Sequence, residues 1–149
     1  MLKTMTLIFG LLCATLAQAE QFKRFTSESG KAYDIHYIAF TSTFLQPEIA
    51  KQYKLMRSQA IGIINVSVLK HEADGKQTPV GAVVEGMVTN DIQQQNFLGF
   101  QQVIENPAIY YLAQTQFREG EVLTFDLSVY PEGERVPFKL RFAQTFYND

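Results

Sequence analysis

The sequence predicts an all-β fold, an antiparallel β-sandwich of about seven or eight short strands with one short helix. Three observations carry that reading. Apolar residues recur with a period of two over most of the chain beyond residue 19, which is the strand signature. Turn chemistry built on Gly, Asp and Pro separates the alternating runs. No internal repeat, low-complexity tract or Pro/Gly/Ser-rich linker interrupts them, so one domain over residues 20–149 is expected. An immunoglobulin-like layout is one arrangement of such strands. The Cys…Trp…Cys hallmark of antibody domains is absent, since the chain has no Trp and one Cys.

Residues 1–19 differ from the rest. Lys3 supplies a positive start, residues 5–16 are almost wholly apolar, and Ala17-Gln18-Ala19 gives the small-x-small pattern of a cleavage site. The expectation is a signal peptide cut between Ala19 and Glu20. The apolar run is shorter than the about 20 residues that a spanning helix needs, so no stable membrane span is expected after cleavage. Cys13 lies inside the apolar run behind Leu12, which is not the setting of a lipid-modified cysteine.

Beyond residue 19, Tyr33, Ile35 and Tyr37 alternate with Asp34 and His36, which predicts a strand with the Asp-x-His pair on an exposed face. Residues 46–53 read as a short helix. Pro47 suits its first position, Glu48 its positive end, and Ile49 and Tyr53 share a face. Residues 60–69 set Ile64, Val66 and Val68 opposite Asn65 and Ser67, and the additional Ile61 and Ile63 predict burial on both faces. A loop over residues 70–79, holding His71 and the Asp74-Gly75 turn signal, leads to a strand at 80–89. A further strand is expected at 97–104. Residues 108–117, 122–130 and 136–146 alternate best, separated by Arg118-Glu119-Gly120-Glu121 and Pro131-Glu132-Gly133-Glu134. They are expected to form an antiparallel meander.

Composition narrows the function. The formal net charge is −2, and removal of Lys3 makes the processed chain one charge more acidic. Basic residues are scattered, with Lys23-Arg24 the only adjacent pair, so nucleic acid is not an expected partner. The only Cys leaves with the signal, so no disulfide is available and stability must come from apolar burial. All 7 Tyr, and every Phe except Phe9 of the 12, remain to build that core.

Catalytic and metal chemistry find little support. Nucleophilic hydrolysis needs a nucleophile, a base and an orienting group. The processed chain has no Cys and no Gly-x-Ser-x-Gly. His36 and His71 stand too far apart for a zinc site, and Met56 and Met87 are expected in the core or on a sheet face instead of ligating a soft metal. No phosphate loop occurs, so no cofactor is expected. Glu119, Glu121, Glu132 and Glu134 fall in turns, where carboxylates are usually solvated. Asn65-Val66-Ser67 matches a glycosylation pattern inside a strand and is read as chance.

The candidate binding surface lies elsewhere. Residues 89–96 form a loop dense in side-chain amides, including Asn90, Asp91, Gln93 and Gln94. Gln144 sits by alternation among inward-facing aromatics, and Arg57, just after the helix, is a candidate neighbour of the amide loop.

Several stretches taken together carry a family resemblance. They are residues 33–40, Phe44-Leu45-Gln46-Pro47-Glu48-Ile49-Ala50, Arg57-Ser58, Asn65-Val66-Ser67-Val68-Leu69, Thr89-Asn90, Ile109-Tyr110-Tyr111 and the closing residues 142–147. In these the chain resembles a family of small exported proteins of Gram-negative bacteria known only as a domain of unknown function. The resemblance implies a periplasmic location and brings no activity. The expected function is a non-catalytic binding or interaction module of the cell envelope, holding an envelope protein or a polar ligand. The competing reading is a small hydrolase or isomerase using Asp34 and His36 or the turn carboxylates. A cleft that gathers such groups would separate the two.

Overall fold

A computed structural model describes residues 20–148 of the chain. The expected signal segment, with Ala19, lies outside the described residues; Glu20, on the other side of the expected cut, lies within them and is exposed. Among the described residues ten strands form two antiparallel sheets. The first sheet contains β1 (Gln21–Thr26), β2 (Ala32–Thr41), β3 (Ile61–His71), β8 (Ala108–Gln116) and β7 (Gln101–Glu105), in that spatial order, with β4 (Gln77–Pro79) extending β3 beyond β8. The second has the order β10 (Phe138–Phe146), β9 (Glu121–Pro131), β5 (Ala82–Thr89), β6 (Gln95–Leu98). The second strand of antibody constant domains lies between the first and fifth; here it lies between the first and third.

The core between the sheets follows from the alternation. From the first sheet come Tyr33, Ile35, Ile64, Val66, Val68, Tyr111 and Ala113; from the second come Leu123, Phe125, Leu127, Val129, Phe138, Leu140 and Phe146. Ring contacts bind the layers, with Tyr37 on Phe142 and Phe25 on Phe138, and within the second sheet Phe125 lies against both Phe142 and Phe146. A second apolar cluster covers the outer face of the first sheet: Ile38, Phe40, Ile63, Val103, Tyr110 and Leu112 lie with Leu45 and Ala50 of the segment that carries α1 (Pro47–Gln52). The double burial expected for the start of β3 is therefore real, with Ile63 and Ile64 both fully buried on opposite faces.

Pro47 opens α1 with Glu48 in its first turn, as its sequence dictates, and a single 3-10 turn (Ser42–Phe44) precedes it. Among the described residues no helix is long and apolar enough to cross a membrane.

The structure corrects four expectations about where the strands run. The three C-terminal strands are not one meander: β9 and β10 pair, but β8 lies in the first sheet between β3 and β7. Both faces of β8 are apolar, and only the first sheet has α1 to cover a second apolar face. The outer sides of β9 and β10 carry Thr124, Asp126, Ser128, Lys139 and Arg141, which suits a sheet open to water. Residues 97–104 are two strands, because the chain leaves the second sheet after Leu98 and joins the first at Gln101. His71 ends β3 instead of sitting in a loop. Residues 21–26, where no strand was expected, form β1.

Close packing sets a testable constraint at Gly62 on the inner side of β3. A Cβ there would stand 2.6 Å from Phe146 Cε1. That ring is held by Phe117, at 4.9 Å between centroids, and by Phe125. Gly62→Ala is expected to destabilise by about 1–3 kcal/mol through overpacking, measured by urea unfolding. A neutral effect would mean that Phe146 has room to move.

Candidate functional site

The β5–β6 hairpin is organised by one side chain. Asn90 Oδ1 accepts from the N–H of Ile92 (3.1 Å) and of Gln94 (2.8 Å), and its Nδ2 donates to Gln94 Oε1 (2.9 Å). Main-chain bonds from Asn90 N–H to Gln94 C=O (3.0 Å) and from Gln93 N–H to Asn90 C=O (3.1 Å) close the turn, with Gln93 at φ 65. Asn tolerates and caps such turns because its short amide imitates the main chain. Asn90 and Gln94 are thus committed to the turn, while Asp91 and Gln93 are exposed.

This turn presents apolar residues that the sequence reading passed over. Ile92 is 60% exposed and Phe97, on the edge strand β6, is 87% exposed. Phe97 pairs with Met87 on the outer face of the second sheet. The available signal was alternation within β6: Leu98 faces the core, so Phe97 must face out.

Gln144 lies on the opposite flank. It is half-buried, donates to the Thr145 carbonyl (3.1 Å), and lines a groove of about 220 Å³ between β10 and the β1–β2 edge, with Gln21, Tyr37, Ala39 and Phe142. Arg57 serves a third place. Its Nε donates to the Leu45 carbonyl (2.9 Å) and its Nη2 to that of Thr43 (3.2 Å), tying the segment after α1 to the 3-10 turn. None of these bonds reaches the amide turn, so the six candidate residues divide among three places on the surface.

Asp34 was expected on a solvated face and is fully buried instead. The unforeseen β1 brings Arg24 directly opposite it. Arg24 donates from Nε to Oδ1 at 2.7 Å and from Nη2 to Oδ2 at 3.0 Å, and Gln77 Nε2 of β4 also donates to Oδ2. The Arg24 hydrogen bonds hold the Asp34 carboxyl below its ordinary range against the opposing effect of burial. His36 shares that face but turns to other neighbours: it stacks on Phe22 at 5.3 Å, and its Nδ1 lies 3.7 Å from Glu20. The Glu20 residue is exposed as a whole, but its side chain is only 29% exposed beside His36, and this desolvation raises its carboxyl, partly offset by His36. Asp34 and His36 do not form a joined pair.

Three of the four turn carboxylates also have structural partners. Glu134 accepts from Tyr33 Oη (2.8 Å) and Ser29 Oγ (3.0 Å), Glu121 accepts from the Arg118 N–H (3.3 Å), and Glu119 accepts from the Asn148 N–H. The Tyr33 hydrogen bond lowers the Glu134 carboxyl, while burial, reinforced by Glu134, pushes Tyr33 up to about 12. Met56 is exposed in a loop, not in the core or on a sheet, because its segment lies beyond the apolar cover of α1; Met87 is on a sheet face as expected. Among the described residues no three His, Cys, Asp or Glu come together as a metal site.

The comparisons agree with this fold. A protein from Pseudomonas aeruginosa PAO1, of the DUF4426 family, has a crystal structure similar to this chain at a TM-score of 0.73 and 36% identity, covering 90% of this chain and 99% of that one. Two structures of FetP from uropathogenic Escherichia coli strain F11 are more distant. A copper-bound variant has a TM-score of 0.56 and the as-isolated protein 0.53, both at 10% identity and 87% of this chain, with 98% and 97% of theirs covered. At that identity the likeness is one of fold alone. No curated protein matches. The family model of the domain of unknown function DUF4426 matches residues 27–149. The chain therefore belongs to the DUF4426 family.

Proposed function

We propose that this domain is a non-catalytic binding module of the periplasm that engages an envelope partner through the tip of the β5–β6 hairpin. The observation that carries the reading is Phe97, 87% exposed on the edge strand β6, in the same hairpin whose amide-rich turn carries Ile92 at 60% exposure. Exposed aromatic and apolar side chains ringed by polar groups are the usual composition of a protein contact. The arrangement of the titratable groups supports the same reading: Asp34 and Glu134 are engaged in hydrogen bonds within the fold instead of converging in a cleft.

A photo-crosslinking residue at position 97 of the exported chain is expected to capture a reproducible envelope protein. The same probe at Glu48, exposed on α1 over the outer face of the first sheet, should capture none. Ile92→Ser should reduce capture at least about tenfold, the effect of losing one well-placed apolar anchor. Equal labelling from both probe positions would overturn the assignment, and recovery of the protein outside the osmotic-shock fraction would overturn the location.

A further inference from the structure

Leu140, Phe142, Gln144 and Phe146 follow one another at every second position on the inner side of β10. Three of them are apolar and pack into the core between the sheets, and Gln144 interrupts the series with an amide. Its place in the fold accounts for the exception. β10 is one end of the second sheet and faces the β1–β2 end of the first, so Gln144 stands at the mouth of the sandwich instead of its centre. The groove of about 220 Å³ lies at that mouth. Tyr37 and Phe142, at 4.6 Å between centroids, form its aromatic side. Gln21 pairs with Tyr37, shares its face of the sheet, and lines the groove together with Gln144.

The polar groups of this groove are not committed to the fold. Amides elsewhere on the first sheet tie distant segments together: Gln101 donates to the Tyr53 carbonyl (3.0 Å), Gln102 to Tyr111 Oη (3.0 Å) and Gln114 to the Met56 carbonyl (2.8 Å). Among the described residues the Gln144 side chain makes one hydrogen bond, to the carbonyl of its own neighbour Thr145, and the side chains of Gln21 and Tyr37 make none. An amide carries two N–H donors and an accepting carbonyl, and a phenol both donates and accepts. Several donors and acceptors in the groove are therefore left for a ligand. Among the described residues no charged side chain lines it, so nothing there offsets the cost of desolvating an ionic ligand.

We propose that this groove binds a neutral sugar ring. The hydroxyls around a pyranose each donate and accept, while its faces are clad in C–H, which matches side-chain amides and a phenol set beside aromatic rings. Gln144 and Gln21 engage hydroxyls from the two sides of the groove, Tyr37 Oη engages a third, and a C–H face of the sugar packs on the Tyr37–Phe142 pair. The volume is below the about 300–1,000 Å³ of pockets that enclose a drug-sized ligand. It admits one ring and leaves the rest of a longer glycan in solvent. A peptide side chain fits less well, because its single amide or hydroxyl cannot serve three polar residues at once. β10 and β6 are opposite ends of the second sheet, so this assignment and that of the β5–β6 tip can fail independently.

Titration of the purified chain, followed by proton–nitrogen NMR, tests it. Methyl β-glycosides of glucose, galactose and N-acetylglucosamine are the neutral probes; glucosamine and glucuronate carry a positive and a negative charge on the same ring. At least one neutral probe is expected to shift the side-chain amide signals of Gln21 and Gln144 saturably, with a millimolar dissociation constant that suits one ring in an open groove. The charged rings should bind at least about tenfold more weakly. Gln144→Ala should weaken the neutral probe about five- to tenfold, the effect of losing one hydrogen-bonding side chain, while unchanged main-chain signals away from the groove show that the variant keeps its fold. No saturable shift from any neutral probe overturns the proposal. So does equal binding of the charged rings, or an affinity that Gln144→Ala leaves unchanged. Saturation of the same signals by a blocked Gly-Gln-Gly peptide, with none from the sugars, also overturns it and assigns the groove to a protein side chain.

Discussion

Phe125→Ala is expected to lower the unfolding free energy by about 3–5 kcal/mol, the range for deleting a buried aromatic ring from a core that relaxes only in part. Phe125 is fully buried at the centre of β9, between β10 and β5. Its ring stacks on Phe142 at 5.0 Å and meets Phe146 edge-on at 6.2 Å. Phe142 in turn packs against Tyr37 of the first sheet at 4.6 Å. Removing the ring therefore loosens the contact between the sheets as well as leaving a cavity. With no cysteine in residues 20–149, no disulfide limits the loss. Urea unfolding with an unchanged slope would give the value directly. A loss below about 1 kcal/mol would mean that neighbouring rings collapse into the space.

Asp34→Ala is expected to cost about 1.5–3 kcal/mol at pH 7, the range for hydrogen bonds to a charged group, because Arg24 and Gln77 lose their common acceptor. The upper end of the range for buried pairs is not reached, since the Arg24 side chain is half exposed and solvent screens it. The pH dependence has a definite sign. The Asp34 carboxyl is held below its ordinary value of 3.8, first by the Arg24 hydrogen bonds. Its contribution is therefore complete above that ordinary value and is lost as pH falls through the lower, folded value. The parent chain should lose stability more steeply below pH 4 than the variant, and the gap between them should narrow. A gap that stays constant from pH 7 to pH 2 would show that packing, not charge, is what Asp34 supplies.

Several elements could be read from the sequence because their causes are local. Strict alternation in β9 and β10 assigns each side chain to core or water by itself. Pro47 with Glu48 starts α1 wherever the helix docks, and the apolar start of β3 required cover on both faces. The family could be recognised for a related reason: four of its seven motifs lie in β2, β3, β8 and β10, where packing restricts the choice of residue, and the other three lie in the segment that carries α1, at Arg57-Ser58 and at the turn that Asn90 organises.

What could not be read depends on neighbours distant in sequence. β1 has almost no apolar alternation, being largely exposed, with Phe25 as its main core contact. It exists because β2 offers it an edge. Asp34 is buried only because β1 and β4 bring Arg24 and Gln77 over it, so a residue with every local sign of a solvated position became a structural anchor. The candidate residues Arg57, Asn90 and Gln144 were chosen by type, and the fold put them in three separate places. Phe97 was missed because a phenylalanine in a strand is read as core unless the sheet that owns the strand is known.

The sequence by itself determined the sandwich class, the strands with regular alternation, the helix start and the family, since each follows from the pattern of a few adjacent residues. The tertiary structure decided which sheet each strand joins, that Asp34 is buried, and that Phe97 lies open. Strand pairing and burial depend on contacts between residues far apart in the chain, and no local pattern contains them.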